Sequence, residues 1–263
     1  MKWLPLALVA CVTACTSSQA QESAGYTELV LHGDMIAHQI QASLAGTKGE
    51  LRSDKVDPDG TRHPGSFVQF GPGMKDKRFE FSLPDKRIDL GYAGQITYRV
   101  NDIKLDTVDM YSTTREFIIT ASFISNGVAL KGSHSALGES VVPGIKLQNM
   151  QLAIHLIPIV TPEGKISYSE PHVTFAADVD NTFIPRFSVL GRSVDIVDSL
   201  THYRHDLCET VQTQIQKALD DPARKEALSE KIQEGIAGRL SGPSSAVLSL
   251  KFQGTDLVVR LRR

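Results

Sequence analysis

The chain has 263 residues, of which 41% are hydrophobic, 22% charged and 6% aromatic, and its formal net charge at neutral pH is -2. This composition is that of a folded domain, and it excludes a disordered tail or a protein with many membrane spans. The near balance of acidic and basic residues argues against a nucleic acid as partner.

The N-terminal residues have the pattern of a bacterial lipoprotein signal peptide. A single lysine precedes an apolar stretch from Trp3 to Ala14, which is too short to span a bilayer as a helix. Cys11 and Cys15 both follow small or aliphatic residues, as the lipidated cysteine of a lipobox does. Cys15 is favoured because it leaves a fuller apolar region and precedes a polar tether, whereas Cys11, or ordinary secretion with cleavage after Ala20, are the alternatives.

This interpretation divides the chain into a signal peptide at 1–14, a polar tether at 15–25 and a single domain at 26–263. Acylated Cys15 would anchor the domain to a membrane on the periplasmic side. The outer membrane is favoured because Thr16, rather than aspartate, follows Cys15. Cys208 would be the one free thiol of the mature chain, so no intramolecular disulfide is expected.

The domain is expected to begin with a strand at 27–32, followed by a helix. Asp34 is the expected N-cap, and Ile36, Ile40 and Leu44 follow one turn apart. Residues 51–73 are rich in Asp, Gly and Pro and predict a long exposed loop with a short strand near 66–70.

The middle of the chain is predicted to be rich in strands. Residues 145–159 predict one strand of about fifteen residues, much longer than usual, which indicates a large curved antiparallel sheet. Leu152, Ile154 and Leu156 fall on one side of this strand and His155 on the other. Alternation and turn signals predict the other strands at 78–83, 96–100, 116–124, 128–133, 165–169 and 172–179.

The C-terminal part is predicted to be helical and to end in a hairpin. One amphipathic helix should bury residues that recur every three or four positions: Leu200, Tyr203, Leu207, Val211, Ile215 and Leu219. A second helix should start at Asp221 and bury Leu228, Ile232, Ile236 and Leu240. Two strands at 248–252 and 257–261 form the hairpin.

Three short segments contain residue types that could form a chemical site. His202, His205 and Cys208 share a helix face, but a zinc site needs a fourth ligand, so an exposed helix start is favoured. Residues 57–60 lack the bidentate glutamate of a calcium loop and predict a turn. Residues 133–135, Ser-His-Ser, are adjacent in a strand and cannot form a local catalytic pair, so a polar loop is favoured. No catalytic residue, metal site or cofactor is therefore expected.

The order of elements resembles the YceB-like lipoproteins of the tubular lipid-binding (TULIP) superfamily. The likeness rests on the lipobox at Cys15, the opening strand at 26–29, the helix with Ile36 and Ile40, the strand-rich centre, the late helices and the terminal strand pair after Gly242. It implies an α+β domain in which a long curved antiparallel sheet is wrapped around amphipathic helices. It also implies that a lipid or another hydrophobic small molecule occupies the apolar seam between them.

The expected function is therefore that of a non-enzymatic, membrane-tethered periplasmic protein that binds or transfers a hydrophobic ligand. The candidates for lining the ligand are Ile36, Ile40, Leu44, Leu152, Ile154, Leu156, Leu207, Val211 and Ile215. The same apolar stripes are equally typical of a packed core. The second hypothesis is an envelope protein-interaction module, such as an inhibitor or immunity lipoprotein, with no ligand cavity. An enzyme that uses His134 or Ser135 is the third.

Overall fold

A computed structural model describes residues 20–23, 26–69, 71, 78–139, 142–169, 171–180, 187–189, 192–194, 197–222, 225–226 and 247–262. The signal peptide, Cys15 and most of the tether lie outside these residues, as do the apolar positions of the second C-terminal helix, Leu228, Ile232, Ile236 and Leu240. No helix in the described ranges is both long enough and apolar enough to cross a membrane.

The described chain is mostly β-sheet, with two α-helices, α1 (Gly33–Leu44) and α2 (Val197–Asp220). The largest sheet has seven strands in the order β16 (His172–Val179), β13 (Leu147–Leu156), β11 (Phe117–Ser125), β10 (Ile103–Ser112), β3 (Lys48–Leu51), β6 (Ser66–Gln69) and β7 (Arg78–Phe81). A four-stranded sheet has the order β1 (Ala20–Ser23), β2 (Tyr26–Leu31), β20 (Asp256–Arg262) and β19 (Val247–Gln253).

The remaining strands form smaller units. A three-stranded sheet has the order β12 (Leu130–His134), β9 (Gln95–Val100) and β8 (Lys86–Asp89). Three hairpins pair β4 (Lys55–Val56) with β5 (Arg62–His63), β14 (Pro158–Val160) with β15 (Ile166–Tyr168), and β17 (Phe187–Val189) with β18 (Arg192–Val194). A short 3₁₀ helix, Gly91–Ala93, connects β8 to β9.

The seven-stranded sheet is antiparallel and curled into a half-barrel. Its register shifts between Leu105 and Thr107 in β10, and between Gln148 and Gln151 in β13, where Asn149 has a φ of 52°. Such bulges bend a strand and increase its twist. The coarse prediction of a curved antiparallel sheet is therefore confirmed.

The prediction of one strand over residues 145–159 is wrong. β13 ends at Leu156, and the chain continues into β14, which pairs with β15 instead of with the large sheet. Pro158 opens β14 and has no backbone N–H to donate to a neighbouring strand, which explains why the ladder of the large sheet is not extended. The predictions of a strand at 172–179, of the first C-terminal helix and of the terminal hairpin are confirmed.

The start of α1 also differs from the prediction that Asp34 caps it. The helix begins at Gly33, whose backbone N–H donates to Oδ1 of Asp256 at 3.2 Å, so the capping carboxylate comes from β20. A Cβ atom on Gly33 would lie 1.9 Å from the backbone oxygen of Thr255. Glycine is therefore needed here because the two segments approach closely, and Asp34 falls inside the first turn instead.

Gly132 in β12 offers a test of how the three-stranded sheet is packed. A Cβ atom there would lie 2.3 Å from Cγ1 of Val142 and 2.8 Å from Cε1 of Tyr98, the wholly buried ring that lies opposite it in β9. We expect Gly132→Ala to lower the free energy of unfolding by about 1–3 kcal/mol through overpacking. Gly127→Ala is the matched control because a Cβ atom there meets nothing within 4 Å. Equal denaturation midpoints for both variants would contradict this packing.

Candidate functional site

Helix α2 lies along the edge of the seven-stranded sheet, antiparallel to β16. Gln216 donates to the backbone oxygen of Pro171 at 2.6 Å, near one end of the strand. Near the other end, Arg204 lies 3.6 Å from a carboxylate oxygen of Asp178. Between these contacts, the half-buried side chain of Cys208 packs against the apolar core. The helix therefore satisfies polar groups of β16, a strand that pairs only with β13 among the described residues.

The apolar face of α2 is buried as the sequence predicts. It packs into one core cluster with the inner face of β13, the strand beside β16. Because Leu152, Ile154 and Leu156 alternate with half-exposed residues, all three point to the same side of the sheet. The buried residues of α2 are Tyr203, Leu207, Val211, Ile215 and Leu219.

The other predicted lining residues lie on α1. Leu44 is buried and belongs to the same core cluster, but α1 packs against β10, three strands away from β16. The side chains of Ile36 and Ile40 lie outside the described part of the chain. Helix α2 therefore contacts β16, the strand beside β13, whereas Leu44 lies on a helix that packs against β10.

Side chains fill the seam between α2 and the sheet. Val211 has no exposed surface, and Leu207 is 3% exposed. Toward one end of the helix the hydroxyl of Tyr168 donates to the backbone oxygen of Leu219 at 2.8 Å. Toward the other end the rings of Tyr98 and Tyr203 have centroids 6.5 Å apart. An acyl chain in this seam would therefore have to replace contacts between side chains.

A cleft of about 310 Å³ opens beside the N-terminal half of α2. One wall is the connection from β7 to β8 and the first residue of β8, with Leu83, Pro84, Asp85 and Lys86. The other wall is one side of α2, with Tyr203, Asp206, Leu207, Glu209 and Thr210. Leu207 is the one predicted lining residue that also borders this cleft, so the cleft adjoins the seam.

Charged groups connect and flank the two walls. Lys86 forms an ion pair with Asp206 across the cleft. On the side of β9, Nε of Arg99 lies 3.0 Å from Oδ2 of Asp85. Glu209 is exposed and makes no ion pair with any other residue described. The lining therefore carries three carboxylates against one ammonium group.

Two buried polar atoms of the cleft residues lack a hydrogen-bond partner among the residues described. They are Oδ1 of Asp85 and the hydroxyl of Tyr203. Tyr203 is only 3% exposed. Burial, and after it the negative charges of Asp85 and Asp206, raise the pKa of Tyr203. The phenol therefore stays neutral and can donate or accept a hydrogen bond.

The sequence did not single out Asp85 or Tyr203 as a pair. Tyr203 was identified as a member of the apolar stripe, which is correct for its ring. The signal for its second role is that a tyrosine stands in an otherwise aliphatic stripe, because a buried hydroxyl needs a partner. Nothing in the sequence points to the residue that lies near it.

His134 and Ser135, the candidates for an enzyme site, form hydrogen bonds that hold the backbone. Nδ1 of His134 accepts hydrogen bonds from the backbone N–H groups of Ala136 and Leu137, at 3.1 and 3.2 Å. Ser135 accepts one from the backbone N–H of Gln95. These contacts fix the turn after β12. The expectation of a polar loop over 133–135 is wrong for Ser133 and His134, because both lie in β12 and His134 is buried.

The acidic segment at 57–60 forms the turn of the β4–β5 hairpin. The backbone N–H of Thr61 donates to Asp59, and Nε2 of His63 lies 2.8 Å from Oδ2 of Asp57. The prediction of a turn is therefore confirmed. Among the residues that the structure covers, no group of three or more His, Cys, Asp or Glu side chains is arranged to hold a metal ion. Burial raises the pKa of the Cys208 thiol.

No protein-family model matches the chain, and no curated protein matches it. Among solved structures, the chain is similar to a crystal structure of lipopolysaccharide binding protein, with 14% sequence identity and a TM-score of 0.28. The similarity covers 69% of this chain and 43% of the lipopolysaccharide binding protein chain, so this chain spans less than half the length of that protein. A TM-score this low does not establish a common fold.

Proposed function

We propose that the protein is a non-enzymatic, membrane-tethered lipoprotein of the periplasm that binds or transfers a lipid or another hydrophobic ligand. Acylated Cys15 would hold the domain at a membrane, with the outer membrane favoured. The ligand would lie in the seam between α2 and the inner face of β13 and β16. In this proposal the fold is of the TULIP kind.

The observation that carries the proposal is the long apolar face of α2 on a curled sheet. Its apolar residues from Leu207 to Leu219 are held mainly by non-directional contacts. An acyl chain can replace such contacts without leaving polar groups unpaired, because a hydrophobic site needs few specific polar residues. The polar contacts between α2 and its neighbours lie along the edge of β16, at Tyr168 and at the Lys86–Asp206 ion pair, outside this apolar face.

Native mass spectrometry tests this function directly. Protein extracted from its own membrane with an amphipathic copolymer in place of detergent should carry one non-covalent lipid mass per chain, which collisional activation releases. The covalent acyl groups on Cys15 would remain on the chain and serve as an internal reference. Repeated recovery of a chain with no releasable mass would contradict the proposal and favour a packed core with no ligand.

The β4–β5 hairpin favours a second candidate function, a protein-interaction module. All residues from 55 to 64 are exposed, although the hairpin is ordered by its own backbone bonds and by the contact between Asp57 and His63. An ordered, exposed hairpin presents a defined surface to a partner. A pull-down from envelope extracts with intact protein, and with 57–60 replaced by Gly-Ser-Gly-Ser, separates the two. A stoichiometric partner lost with the hairpin, and no bound lipid, would favour this candidate.

A further inference from the structure

The cleft beside α2 contains polar groups that the packing of the domain does not use. A buried donor or acceptor without a partner costs about 1–3 kcal/mol, and most buried polar atoms in proteins are paired. Oδ1 of Asp85 and the hydroxyl of Tyr203 are both unpaired within the described chain and both belong to residues that line this one cleft. Local departures of this kind are expected at functional sites.

We propose that this cleft binds a primary ammonium group, held between Asp85 and Tyr203 and carried on a hydrophobic stem. This inference names the polar group of the proposed ligand, and it rests on the proposed function only for the stem. The ammonium could belong to a lipid headgroup or to a free amine.

The hydrogen-bonding capacity of the two unpaired oxygens favours an ammonium group. The carboxylate oxygen of Asp85 can only accept, and the neutral phenol oxygen of Tyr203 can accept as well as donate. One ammonium group has three N–H donors, so it can donate to both oxygens at once. A ligand carboxylate could accept from Tyr203, but it would leave Oδ1 of Asp85 without a partner and would be repelled by the Asp85 carboxylate.

The charged side chains around the cleft also favour a cationic group. Lys86 is already paired with Asp206, and Arg99 reaches Asp85 from outside the cleft with a side chain that is 61% exposed. Glu209 adds a further carboxylate at the exposed rim. With Arg99 counted, Asp85, Asp206 and Glu209 stand against two cations, so one negative charge remains, which favours a cation over an anion.

The shape of the cleft suits an ammonium group that is attached to an alkyl stem. Leu83, Pro84 and Leu207 give the cleft an apolar side next to its charged groups. Leu207 also belongs to the buried face of α2. An alkyl stem that extends from the ammonium group along the apolar side of the cleft would therefore point toward the seam. A volume of about 310 Å³ is at the lower end of the range for small-molecule sites, enough for a headgroup and the start of its chain.

Three probes with the same stem test the chemistry of the group: n-butylammonium, n-butanol and n-butanoate. They are titrated calorimetrically into the full-length protein. We expect n-butylammonium to bind at least about 10-fold more tightly than the other two, as for a hydrogen-bonded charged group. Asp85→Asn should weaken its binding about 10-fold or more, and Tyr203→Phe about 3-fold or more. Glu163→Gln, on an exposed turn, should leave it unchanged.

The outcomes separate this inference from the proposed function. Equal binding of all three probes would overturn the ammonium site and leave a hydrophobic-ligand function intact. No binding of n-butylammonium would overturn the ammonium site whatever native mass spectrometry finds. Tighter binding of n-octylammonium than of n-butylammonium supports a lipid source. Equal binding of both would keep the ammonium site, identify a free amine as its ligand and contradict the hydrophobic stem.

The melting temperature of Tyr203→Phe gives an independent readout. If the hydroxyl is unpaired without ligand, its removal should leave the melting temperature unchanged or raise it, since only an unfavourable burial is lost. Saturating n-butylammonium should then stabilise the wild type more than the variant. A clearly lower melting temperature for the unliganded variant would show that the hydroxyl is already hydrogen-bonded, and would overturn the proposal.

Discussion

Leu207→Ala is expected to lower the free energy of unfolding by about 2–5 kcal/mol, the usual cost of truncating a buried leucine. Leu207 lies on the buried face of α2 in the same apolar cluster as β13 and β16. Its truncation would leave a cavity where the helix meets the sheet. Chemical denaturation monitored by circular dichroism measures the change.

Leu248→Ala is the matched control for this variant. Leu248 lies in β19 and is 43% exposed, so its truncation should change the free energy of unfolding by less than about 0.5 kcal/mol. If Leu207→Ala were as stable as Leu248→Ala, α2 would not be packed on the sheet as described. The seam would then have to be sought elsewhere in the molecule.

Cys15→Ser is expected to abolish the cleaved, acylated form of the protein that is attached to the membrane. Each buried methylene of an acyl chain contributes about 0.8 kcal/mol, so a diacylglyceryl group with a further acyl chain makes a nearly permanent anchor. Without the thiol, the chain should be released into the periplasm or remain uncleaved in the inner membrane. Fractionation with immunoblotting, together with the mass of the N-terminal peptide, measures the outcome.

Cys11→Ser provides the control for the choice of lipobox. It should leave acylation and membrane attachment as in the wild type, because Cys11 is removed with the signal peptide in this account. The opposite pattern would identify Cys11 as the lipidated residue. If neither variant changed fractionation, ordinary secretion with cleavage after Ala20 would be the better account.

Strands with uninterrupted alternation could be predicted from the sequence. β16 matches the predicted range because Val173, Phe175 and Ala177 alternate with exposed residues along its whole length. β10 was missed because its bulge adds one residue between Leu105 and Thr107. Its apolar positions shift from odd to even numbers there, so a search for period-two alternation finds no strand.

The seam could be predicted in part, and the cleft could not. Spacing alone is enough to place Leu207, Val211 and Ile215 on one face of a helix, and that face is buried. Spacing does not show which strand the helix lies beside. The approach of Asp85 to Tyr203 depends on how α2 docks against the β7–β8 connection, and both residues are ordinary in their local sequence.

We propose that a hydrophobic ligand lies between α2 and the inner face of the large sheet. A fatty acid that carries a diazirine near the middle of its chain tests it on the unmodified full-length protein, by irradiation, digestion and mass spectrometry. We predict label on peptides that contain Leu207, Val211 and Ile215, or Leu152 and Ile154, at no more than one label per chain. Label confined to exposed apolar residues such as Leu248 and Tyr92, or no label at all, would contradict the claim.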